Sequence, residues 1–326
     1  MALQQVNLIS NWGGRFSYYH HDDFLIGRGA MGEVYKGWRT DSPAEKMAIK
    51  RVYPRHAAHP SIRQRARFEA TLSIKHPNLI TMLGYCEHLN SKNGFISDPN
   101  QQSSIYIVSE FVEGTTIDRF TATTDPAMRT EIVSKMICSV LDGLHCLHTL
   151  HPKPVWHRDI KPSNIMVENG RHVKIMDLGI AIADGISFGT LDKGFGSYPY
   201  APPEQITGKR EDVNALSDIY STGVSFYELL TGVNPFLGGS EVDIMDKQIT
   251  MALPPDPRIP QPLYKVLLKA TAKKQSNRYQ SVTEFKEAIR KALDPDTVPL
   301  NWPLLLGIAG GILLVLSIII FAITHG

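Results

Sequence analysis

Three polar residues in the stretch Trp156–Asn164 have the types and the spacing needed for phosphate chemistry. Asp159, Lys161 and Asn164 stand at positions i, i+2 and i+5, so one short loop supplies a carboxylate, an ammonium group and an amide. The carboxylate can receive a proton, the ammonium can neutralise phosphate, and the amide can hold a metal ion. These groups are suited to moving a phosphoryl group onto a hydroxyl.

Three glycines form a second pattern, G-x-G-x-x-G, within the segment Ile26–Val34. Gly27, Gly29 and Gly32 would let the backbone approach phosphate groups closely, with amide N–H groups directed at them. The same spacing occurs in dinucleotide folds, where a helix follows the third glycine. Here the following residues, 33–37, have the pattern of a strand, which favours a glycine-rich hairpin that covers a nucleotide.

Two charged residues lie at the ends of strand-like segments that follow these patterns. Lys50 ends the segment 47–50, eighteen residues after Gly32, and Asp177 follows the segment 173–176. An isolated lysine on a strand is usually solvated, and a lone D-x-G is usually a turn. The surrounding motifs favour a phosphate contact for the lysine and a metal ligand for the aspartate.

The pattern along the chain predicts two regions that must position these residues. Up to about residue 112, short apolar alternations broken by glycines predict a small antiparallel sheet with one helix near residues 62–74. From Asp125 onward the spacing becomes helical, with Pro126 at the first helical position. Residues 1–20 have a weak pattern and are predicted to be an irregular lead-in. Later helices are predicted at 217–231, 263–272 and 282–293.

In this order the motifs resemble those of the eukaryotic-type protein kinases. The loop matches H-R-D-x-x-x-x-N, the segment ending in Lys50 resembles V-A-I-K, and D-L-G at Asp177 stands where the family usually has D-F-G. The resemblance covers residues 24–293. The chain looks most like bacterial serine/threonine kinases that end in a membrane span, and the run K-P-S that starts at Lys161 is typical of serine/threonine kinases.

The resemblance implies an α+β, bilobal protein kinase fold, and the residues add one transmembrane helix. The expected division is a lead-in at 1–20, a β-rich N-lobe at 21–112, a helical C-lobe at 113–293, a linker at 294–302 and the transmembrane helix at 303–324. Pro303–Thr324 contains no charged residue and is long enough to cross a hydrocarbon core of about 30 Å. Basic residues precede it, so we expect the kinase domain at the cytoplasmic face of a membrane, held by a C-terminal tail anchor.

The resemblance also implies roles in catalysis and metal binding. Asp159 would accept or orient the proton of the substrate hydroxyl, and Lys161 would steady the transferring phosphate. Asn164 and Asp177 would bind Mg²⁺, or Mn²⁺ in its place, through oxygen atoms. Asp218, on a later helix, would brace the loop.

The same resemblance implies which residues hold ATP. Lys50 would bind the phosphates and Val34 would lie against the adenine, while backbone groups of Glu110 and Val112 would hydrogen-bond the adenine edge. Ser109 is small and is expected to leave the pocket behind the adenine open. The remaining expected contacts are Ile26, Gly27, Gly29 and Gly32 in the glycine hairpin.

The acidic partner of Lys50 is the point at which the chain departs from the family. The usual interval before His76 places Arg67, and not an acid, at the position of the helix glutamate. Either the connection from helix to strand is two residues shorter and Glu69 forms the pair, or the pair is made differently. Glu69 is the predicted partner; otherwise it is a surface glutamate on an arginine-rich helix.

The segment after the D-L-G is rich in glycines and hydroxyls and ends in Pro202-Pro203-Glu204. The resemblance makes residues 180–201 an activation segment and makes Glu204 the buried partner of Arg278. Arg158 is expected to pair with a phosphate on this segment, and Thr190 is the first candidate for phosphorylation.

Composition limits the classes of partner. The net charge of +2 gives no indication of nucleic-acid binding. The three cysteines are scattered and odd in number, which argues against a disulfide framework or a zinc site. Gly307 and Gly311 form G-x-x-x-G in the predicted span, which lets two helices approach closely. A homodimer that phosphorylates itself in trans is therefore one hypothesis, although glycine is also common in membrane helices.

Three functions remain open for these residues. The first is an active serine/threonine kinase with protein substrates, the second a pseudokinase that serves as a membrane-bound scaffold, and the third a small-molecule kinase of the same fold. Pseudokinases typically lack the glycine hairpin, the strand lysine, the loop aspartate or the metal aspartate, and all four are present here. Pro203-Glu204 and the peptide-docking segment before it favour a protein substrate over a small molecule.

Overall fold

The structure is a computed structural model that describes a defined part of the chain in two lobes. The described residues are 3–29, 31–57, 60, 63, 67–68, 72, 74–86, 105–178, 198–208 and 212–294. Within them the chain forms a small lobe built on a β-sheet and a larger lobe of helices with a short second sheet.

Antiparallel strands form the sheet of the small lobe, as the apolar alternation predicted. They are β1 (Gln5–Ile9), β2 (Arg15–Tyr19), β3 (Leu25–Arg28), β4 (Gly32–Arg39), β5 (Ser42–Val52), β6 (Met82–Cys86) and β7 (Ile105–Glu110). Their order is β1-β2-β4-β5-β7-β6. Strands β2 and β3 pair with successive parts of β4.

The first two strands show that the prediction of an irregular lead-in at residues 1–20 was wrong. They form a hairpin in which Val6 pairs with Tyr18 and Leu8 pairs with Phe16. These four side chains are at most 3% exposed and pack in one cluster with buried side chains of β4 to β7. The alternation was missed because a five-residue strand contains only two or three buried positions, too few to establish a period.

Asn11, at the tip of this hairpin, joins it to the opposite edge of the sheet. Its N–H donates to the carbonyl oxygen of Tyr85 at 2.9 Å, and its Oδ1 accepts from the Tyr85 N–H at 2.9 Å. A Cβ at Gly84 would lie 2.8 Å from Asn11 Oδ1, so the close approach depends on that glycine. The sheet is therefore curled until its two edges touch at Asn11.

Helices form most of the larger lobe. After α1 (Pro54–Ala57) in the small lobe, they are α2 (Ile117–Ala122), α3 (Pro126–His148), α4 (Pro203–Ile206), α5 (Ala215–Thr231), α6 (Glu241–Thr250), α7 (Gln261–Ala270) and α8 (Val282–Leu293). The second sheet has the order β10-β9-β8, with strands β8 (Gly114–Thr116), β9 (Ile165–Glu168) and β10 (His172–Ile175).

Helix boundaries follow from capping residues in the sequence. Asp125 caps α3 by accepting from the Ala127 N–H at 3.0 Å, as the Asp-Pro pair predicted. Asn214 begins α5 with a reciprocal capping box, and Gly232 ends it at a φ of 73°. The helices predicted at 217–231, 263–272 and 282–293 are confirmed with small shifts of their ends. The helix predicted near residues 62–74 lies largely outside the described residues.

Strand β10 joins the two lobes. The Ile175 N–H donates to the Asn78 carbonyl at 2.9 Å, and the Ile80 N–H donates to the Ile175 carbonyl at 3.0 Å. Residues 78–80 lead directly into β6 of the small lobe. The end of β10, and with it Asp177, is therefore held beneath the small-lobe sheet.

Arg278 and Glu204 form a buried ion pair, as the resemblance implied. Arg278 Nη1 lies 2.7 Å from Glu204 Oε1, and Nη2 lies 2.9 Å from Oε2. Burial alone would raise the pKa of Glu204, but the hydrogen bonds and charge of Arg278 lower it below the ordinary value. The pair fastens α4 to the loop between α7 and α8.

The predicted transmembrane helix, Pro303–Thr324, and the linker that follows Asp294 lie outside the described residues. Among the helices that the structure does describe, none has both the length and the apolarity needed to cross a bilayer.

Candidate active site

In the loop 156–164, Asp159 is the centre of a compact polar cluster. Its Oδ2 lies 2.9 Å from Lys161 Nζ and accepts a 2.9 Å hydrogen bond from Asn164 Nδ2. A 3-10 turn over Pro162–Asn164 folds the amide back toward the aspartate, where Nδ2 also donates to the Asp159 carbonyl. The three residues singled out by their spacing therefore meet at one carboxylate.

Asp218, on α5, holds this loop from below. Its carboxylate accepts from the N–H of His157 at 2.9 Å and from the N–H of Arg158 at 2.7 Å, and it lies 2.8 Å from His148 Nε2. Arg158 has a φ of 66°, a conformation that costs energy for a residue with a side chain. The two hydrogen bonds from consecutive N–H groups stabilise that conformation.

Burial and hydrogen bonding shift the pKa of Asp218 in opposite directions. Its side chain is fully buried, and burial alone would raise its pKa. The hydrogen bond and charge of His148, the charge of His157 and the hydrogen bond from the Arg158 N–H together lower the pKa below the ordinary value. Asp218 therefore remains an ionised acceptor that fixes the backbone beside Asp159.

The loop is also tied to the chain that leads to Asp177. The Met176 N–H donates to the Asn164 carbonyl at 2.8 Å, and His157 Nε2 lies 3.1 Å from the Met176 carbonyl. Asp177 itself has a φ of 44°, which turns the chain sharply after β10. These contacts place Asp177 next to the Asp159 cluster.

Lys50 reaches Asp177 from the small lobe and forms a hydrogen-bonded ion pair with it. Partial loss of water in the cleft would by itself raise the pKa of Asp177, but the charge and hydrogen bond of Lys50 lower it below its ordinary value. On β5, Ile49 packs beneath the N-terminal hairpin, so the neighbouring Lys50 side chain points to the opposite face of the sheet, toward the cleft.

The oxygen atoms of Asn164 and Asp177 fit a magnesium ion that also binds nucleotide phosphates. Asn164 uses its amide nitrogen to bind Asp159, so its amide oxygen is the atom that can bind a cation. Asp177 supplies a carboxylate, and Mg²⁺ prefers oxygen ligands and retains several waters. Within the described ranges, no group of three or more His, Cys, Asp or Glu side chains could hold a metal ion. The predicted site has only two protein ligands, and its occupancy stays a prediction.

The glycine hairpin lies between β3 and β4, as the strand pattern after Gly32 predicted. The Gly29 N–H donates to the Gly32 carbonyl at 2.9 Å and closes the turn. A Cβ at Gly32 would lie 2.2 Å from a backbone oxygen of β5, so this position requires glycine. Val34 is the register partner of Lys50, and directly opposed residues share one face of a sheet.

Two further predicted nucleotide contacts lie on β3. Gly27 is the register partner of Val34, and a Cβ there would meet no atom within 4 Å. Ile26 is 50% exposed. The predicted contacts Ile26, Gly27 and Val34 are therefore close neighbours, with the Ile26 side chain open to solvent.

Glu110 ends β7 at the connection between the lobes. Its N–H donates to the Thr81 carbonyl at 2.9 Å, while its Oε1 accepts from the Thr81 N–H and from Lys174 Nζ, both at 2.8 Å. Since the N–H is used, the Glu110 carbonyl is the backbone group suited to an adenine contact, and Ser109 Oγ lies 3.3 Å from it. Val112, the other predicted contact, is 6% exposed.

The side-chain role of Glu110 was missed by the sequence analysis, which considered only its backbone. No local signal could have revealed it, because Thr81 and Lys174 are 29 and 64 residues away. Other predictions fall outside the described residues: the pairing of Lys50 with Glu69, and phosphorylation of Thr190 within the activation segment.

Comparison with known proteins gives one family. A family model for the protein kinase domain matches residues 20–292. The chain is 35% identical to the probable serine/threonine-protein kinase PknB of Lactococcus lactis subsp. lactis over 270 residues, which are 80% of this chain and 40% of the relative. It is 33% identical to the serine/threonine-protein kinase PknB of Mycobacterium leprae over 270 residues, 80% of this chain and 41% of the relative.

A third relative, the serine/threonine-protein kinase PrkC of Bacillus subtilis, is 32% identical over 280 residues, 83% of this chain and 40% of the relative. The chain thus spans about two fifths of the length of these curated relatives. Strands β1 and β2 precede the range matched by the family model. On the strength of that match and of the loop, lysine and metal-ligand geometry, the chain belongs to the protein kinase family.

Proposed function

We propose that this chain is a serine/threonine protein kinase, which transfers the γ-phosphoryl group of ATP to hydroxyl groups of proteins. The observation that carries the proposal is the convergence of Lys161 and Asn164 on Asp159, beside the segment in which Asp177 pairs with Lys50. The relatives named above are serine/threonine-protein kinases by name.

In the proposed reaction the substrate hydroxyl donates a hydrogen bond to the Asp159 carboxylate. As the hydroxyl oxygen forms its bond to the γ-phosphorus, the bond from that phosphorus to the bridging oxygen breaks, and ADP leaves with the electron pair. The hydroxyl proton passes to Asp159. Lys161, held 2.9 Å from the same carboxylate, can neutralise charge on the transferring group.

The remaining residues position ATP. Lys50 would exchange part of its contact with Asp177 for the phosphates, and the turn closed by Gly29 and Gly32 would cover them. Mg²⁺ held by Asn164 and Asp177 would neutralise phosphate charge. Beyond this charge neutralisation, the protein would contribute by positioning ATP and the substrate hydroxyl, and positioning is a main component of catalysis in phosphoryl transfer.

The proposal extends to a membrane tether and to autophosphorylation. The apolar, uncharged segment Pro303–Thr324 supports the tether, G-x-x-x-G at Gly307 supports a homodimer, and Thr190 is the expected acceptor. The full chain should sediment with membranes after expression, whereas a version ending at residue 295 should not. Equal sedimentation of the two versions would contradict the tether.

The kinase proposal is tested by mapping phosphorylated residues with mass spectrometry. The full chain in detergent is incubated with Mg²⁺-ATP and a mixture of proteins, and Lys50→Ala and Asp177→Ala are compared with the unaltered chain. Lys135→Ala is the matched control, because this lysine is exposed and pairs with Glu131 one turn away on the same helix.

We expect phosphoserine and phosphothreonine with the unaltered chain and the control, and a loss of at least about 100-fold with the other two variants. Phosphate incorporation that neither substitution changes would contradict the catalytic assignment. A complete lack of incorporation by the unaltered chain would instead favour the scaffold.

A further inference from the structure

Three consecutive backbone carbonyls, those of residues 198–200, are held by side chains from three separate parts of the larger lobe. Gln248 Nε2 donates to the Tyr198 carbonyl at 3.2 Å and to the Pro199 carbonyl at 2.5 Å. Asn234 Nδ2 also donates to the Pro199 carbonyl, at 3.2 Å, and Ser221 Oγ donates to the Tyr200 carbonyl at 2.8 Å. We call residues 198–200 the platform.

Gln248 is the central member of this set. It lies on α6, its side chain is fully buried, and both N–H groups of its amide point at platform carbonyls. Its Oε1 accepts from the hydroxyl of Tyr220 at 2.5 Å. An amide buried with all of its hydrogen-bonding groups satisfied has one favoured orientation, since a flipped amide would set donor against donor.

Two further residues fix that orientation. The Tyr220 hydroxyl, which donates to Gln248, accepts from Lys273 Nζ at 2.7 Å. The Lys273 ammonium lies 5.1 Å from the ring centre of Tyr220 and 4.7 Å from that of Phe236. The hydrogen bonds run in one direction, from Lys273 through Tyr220 and Gln248 to the platform.

The platform is also connected to the catalytic loop. It precedes Pro202-Pro203-Glu204, and Gln205 on α4 donates through Nε2 to the Arg158 carbonyl at 3.0 Å. Arg158 adjoins Asp159, the residue proposed to receive the substrate proton. A displacement of the platform would therefore be transmitted, through Gln205 and Arg158, to the place that the substrate hydroxyl must occupy.

The platform lies in the segment before Pro203-Glu204 that the kinase resemblance makes the peptide-docking segment. We propose that Gln248, oriented by Tyr220 and Lys273, is a positioning residue that fixes the platform for the docking of the protein substrate. The inference rests on the proposed kinase function and assigns residues of α5, α6 and the α7–α8 connection to that function. It makes a specific distinction: these residues determine how a peptide binds beside Asp159, and they leave ATP binding unchanged, because the hydrogen bonds and ring contacts described above for them lie within the larger lobe.

The test is steady-state kinetics on the full chain, with separate titrations of ATP and of a peptide. The peptide is the best threonine-containing acceptor of the unaltered protein in a synthetic library. Gln248→Met preserves side-chain length but removes both hydrogen bonds from Gln248 to the platform, while those from Asn234 and Ser221 remain. Tyr220→Phe removes only the hydroxyl that orients Gln248. Gln280→Met is the matched control, because Gln280 also donates to two backbone carbonyls but is exposed, and both carbonyls belong to the α7–α8 connection and not to the platform.

We expect Gln248→Met to raise the KM for the peptide about tenfold, the equivalent of about 1.4 kcal/mol, with the KM for ATP within about twofold of the unaltered value. Tyr220→Phe should shift the peptide KM in the same direction by a smaller factor, and Gln280→Met should change neither constant.

Two results would overturn the inference. One is an unchanged peptide KM in both Gln248→Met and Tyr220→Phe. The other is an equal rise of the KM for ATP and for the peptide, which would show a general loss of structure. If Gln248→Met does not fold, Tyr220→Phe alone decides between these outcomes. Failure of the kinase proposal is distinguishable, because the unaltered chain would then phosphorylate no peptide in the library.

Discussion

Replacement of Arg278 by Met should destabilise the larger lobe far more than a typical surface substitution. The guanidinium is 1% exposed and makes five hydrogen bonds: two to Glu204 and one each to the carbonyls of Ala272, Leu216 and Lys273. Methionine fills much of the same volume but leaves the Glu204 carboxylate buried without its cation. Breaking a buried pair in this way costs about 3–5 kcal/mol.

That cost is a large share of the stability of an ordinary domain, which is about 5–15 kcal/mol. At about 2–4 °C per kcal/mol for a protein of this size, we expect the Tm to fall by roughly 10 °C. Thermal unfolding measures the Tm, and urea unfolding measures the free energy, of the unaltered protein, Arg278→Met, Glu204→Gln and the double variant. Arg290→Met is the matched control, because this arginine is exposed and pairs with Glu287 on its own helix.

The double variant separates the pair from its surroundings. If the carboxylate left without its cation causes the loss, Glu204→Gln should recover part of the stability of Arg278→Met, with a coupling of about 0.5–3 kcal/mol. The low pKa of Glu204 adds a pH test: its stabilising contribution is complete above 4.5, its ordinary value, and is lost as pH falls through the lower folded value. A loss below about 1 kcal/mol for Arg278→Met would refute the reasoning.

Three other predictions concern the hairpin, the glycine turn and a buried lysine. Leu8→Ala should lower the free energy of unfolding by about 2–5 kcal/mol because Leu8 on β1 is fully buried in the apolar cluster of the small-lobe sheet, whereas Leu3→Ala, at a position 47% exposed, should change it by less than about 0.5 kcal/mol; equal effects in urea unfolding would contradict the role of the hairpin. Gly32→Ala should weaken the binding of a fluorescent ATP analogue, because its Cβ would lie 2.2 Å from a backbone oxygen of β5; an unchanged affinity would contradict the role of the glycine turn. Burial, followed by the charge of Arg278, lowers the pKa of Lys273 to about 8 from 10.5. Between these two pH values the unfolded chain keeps the proton that the folded protein has released. The stability of the unaltered protein relative to Lys273→Met should therefore rise from pH 7.5 to pH 9.5. A difference between their urea midpoints that stays constant over this pH range would contradict the prediction.

Local spacing predicted much of the candidate site. Asp159, Lys161 and Asn164 lie within six residues, so a single turn is enough to bring them together, and the structure shows that turn at Pro162–Asn164. The glycine hairpin that ends at Gly32 was also predicted, because the residues after this glycine have the pattern of a strand and not of a helix. The pair Asp125-Pro126 predicted the start of α3, because a capping residue lies next to the helix that it begins.

Contacts between distant residues could not be predicted in this way. Gln248 meets the platform across about 50 residues of sequence, and nothing in the residues around it distinguishes it from a surface glutamine on an amphipathic helix. The N-terminal hairpin was missed because its buried positions are few and its partner strands lie further along the chain. Glu69 as the partner of Lys50 stays a prediction.

The role of Asp159 is the central claim, and the rate of phosphoryl transfer in a single turnover tests it most directly. The full chain is mixed with Mg²⁺-ATP and an acceptor peptide and compared with Asp159→Asn, which keeps the shape of the side chain but removes its capacity to receive a proton. Asp246→Asn, at an exposed position on α6, is the control. The account predicts a fall of about 100-fold to 10,000-fold for Asp159→Asn, with ATP affinity unchanged and the control unaffected. An Asp159→Asn variant that transfers phosphate at the rate of the unaltered chain would contradict it.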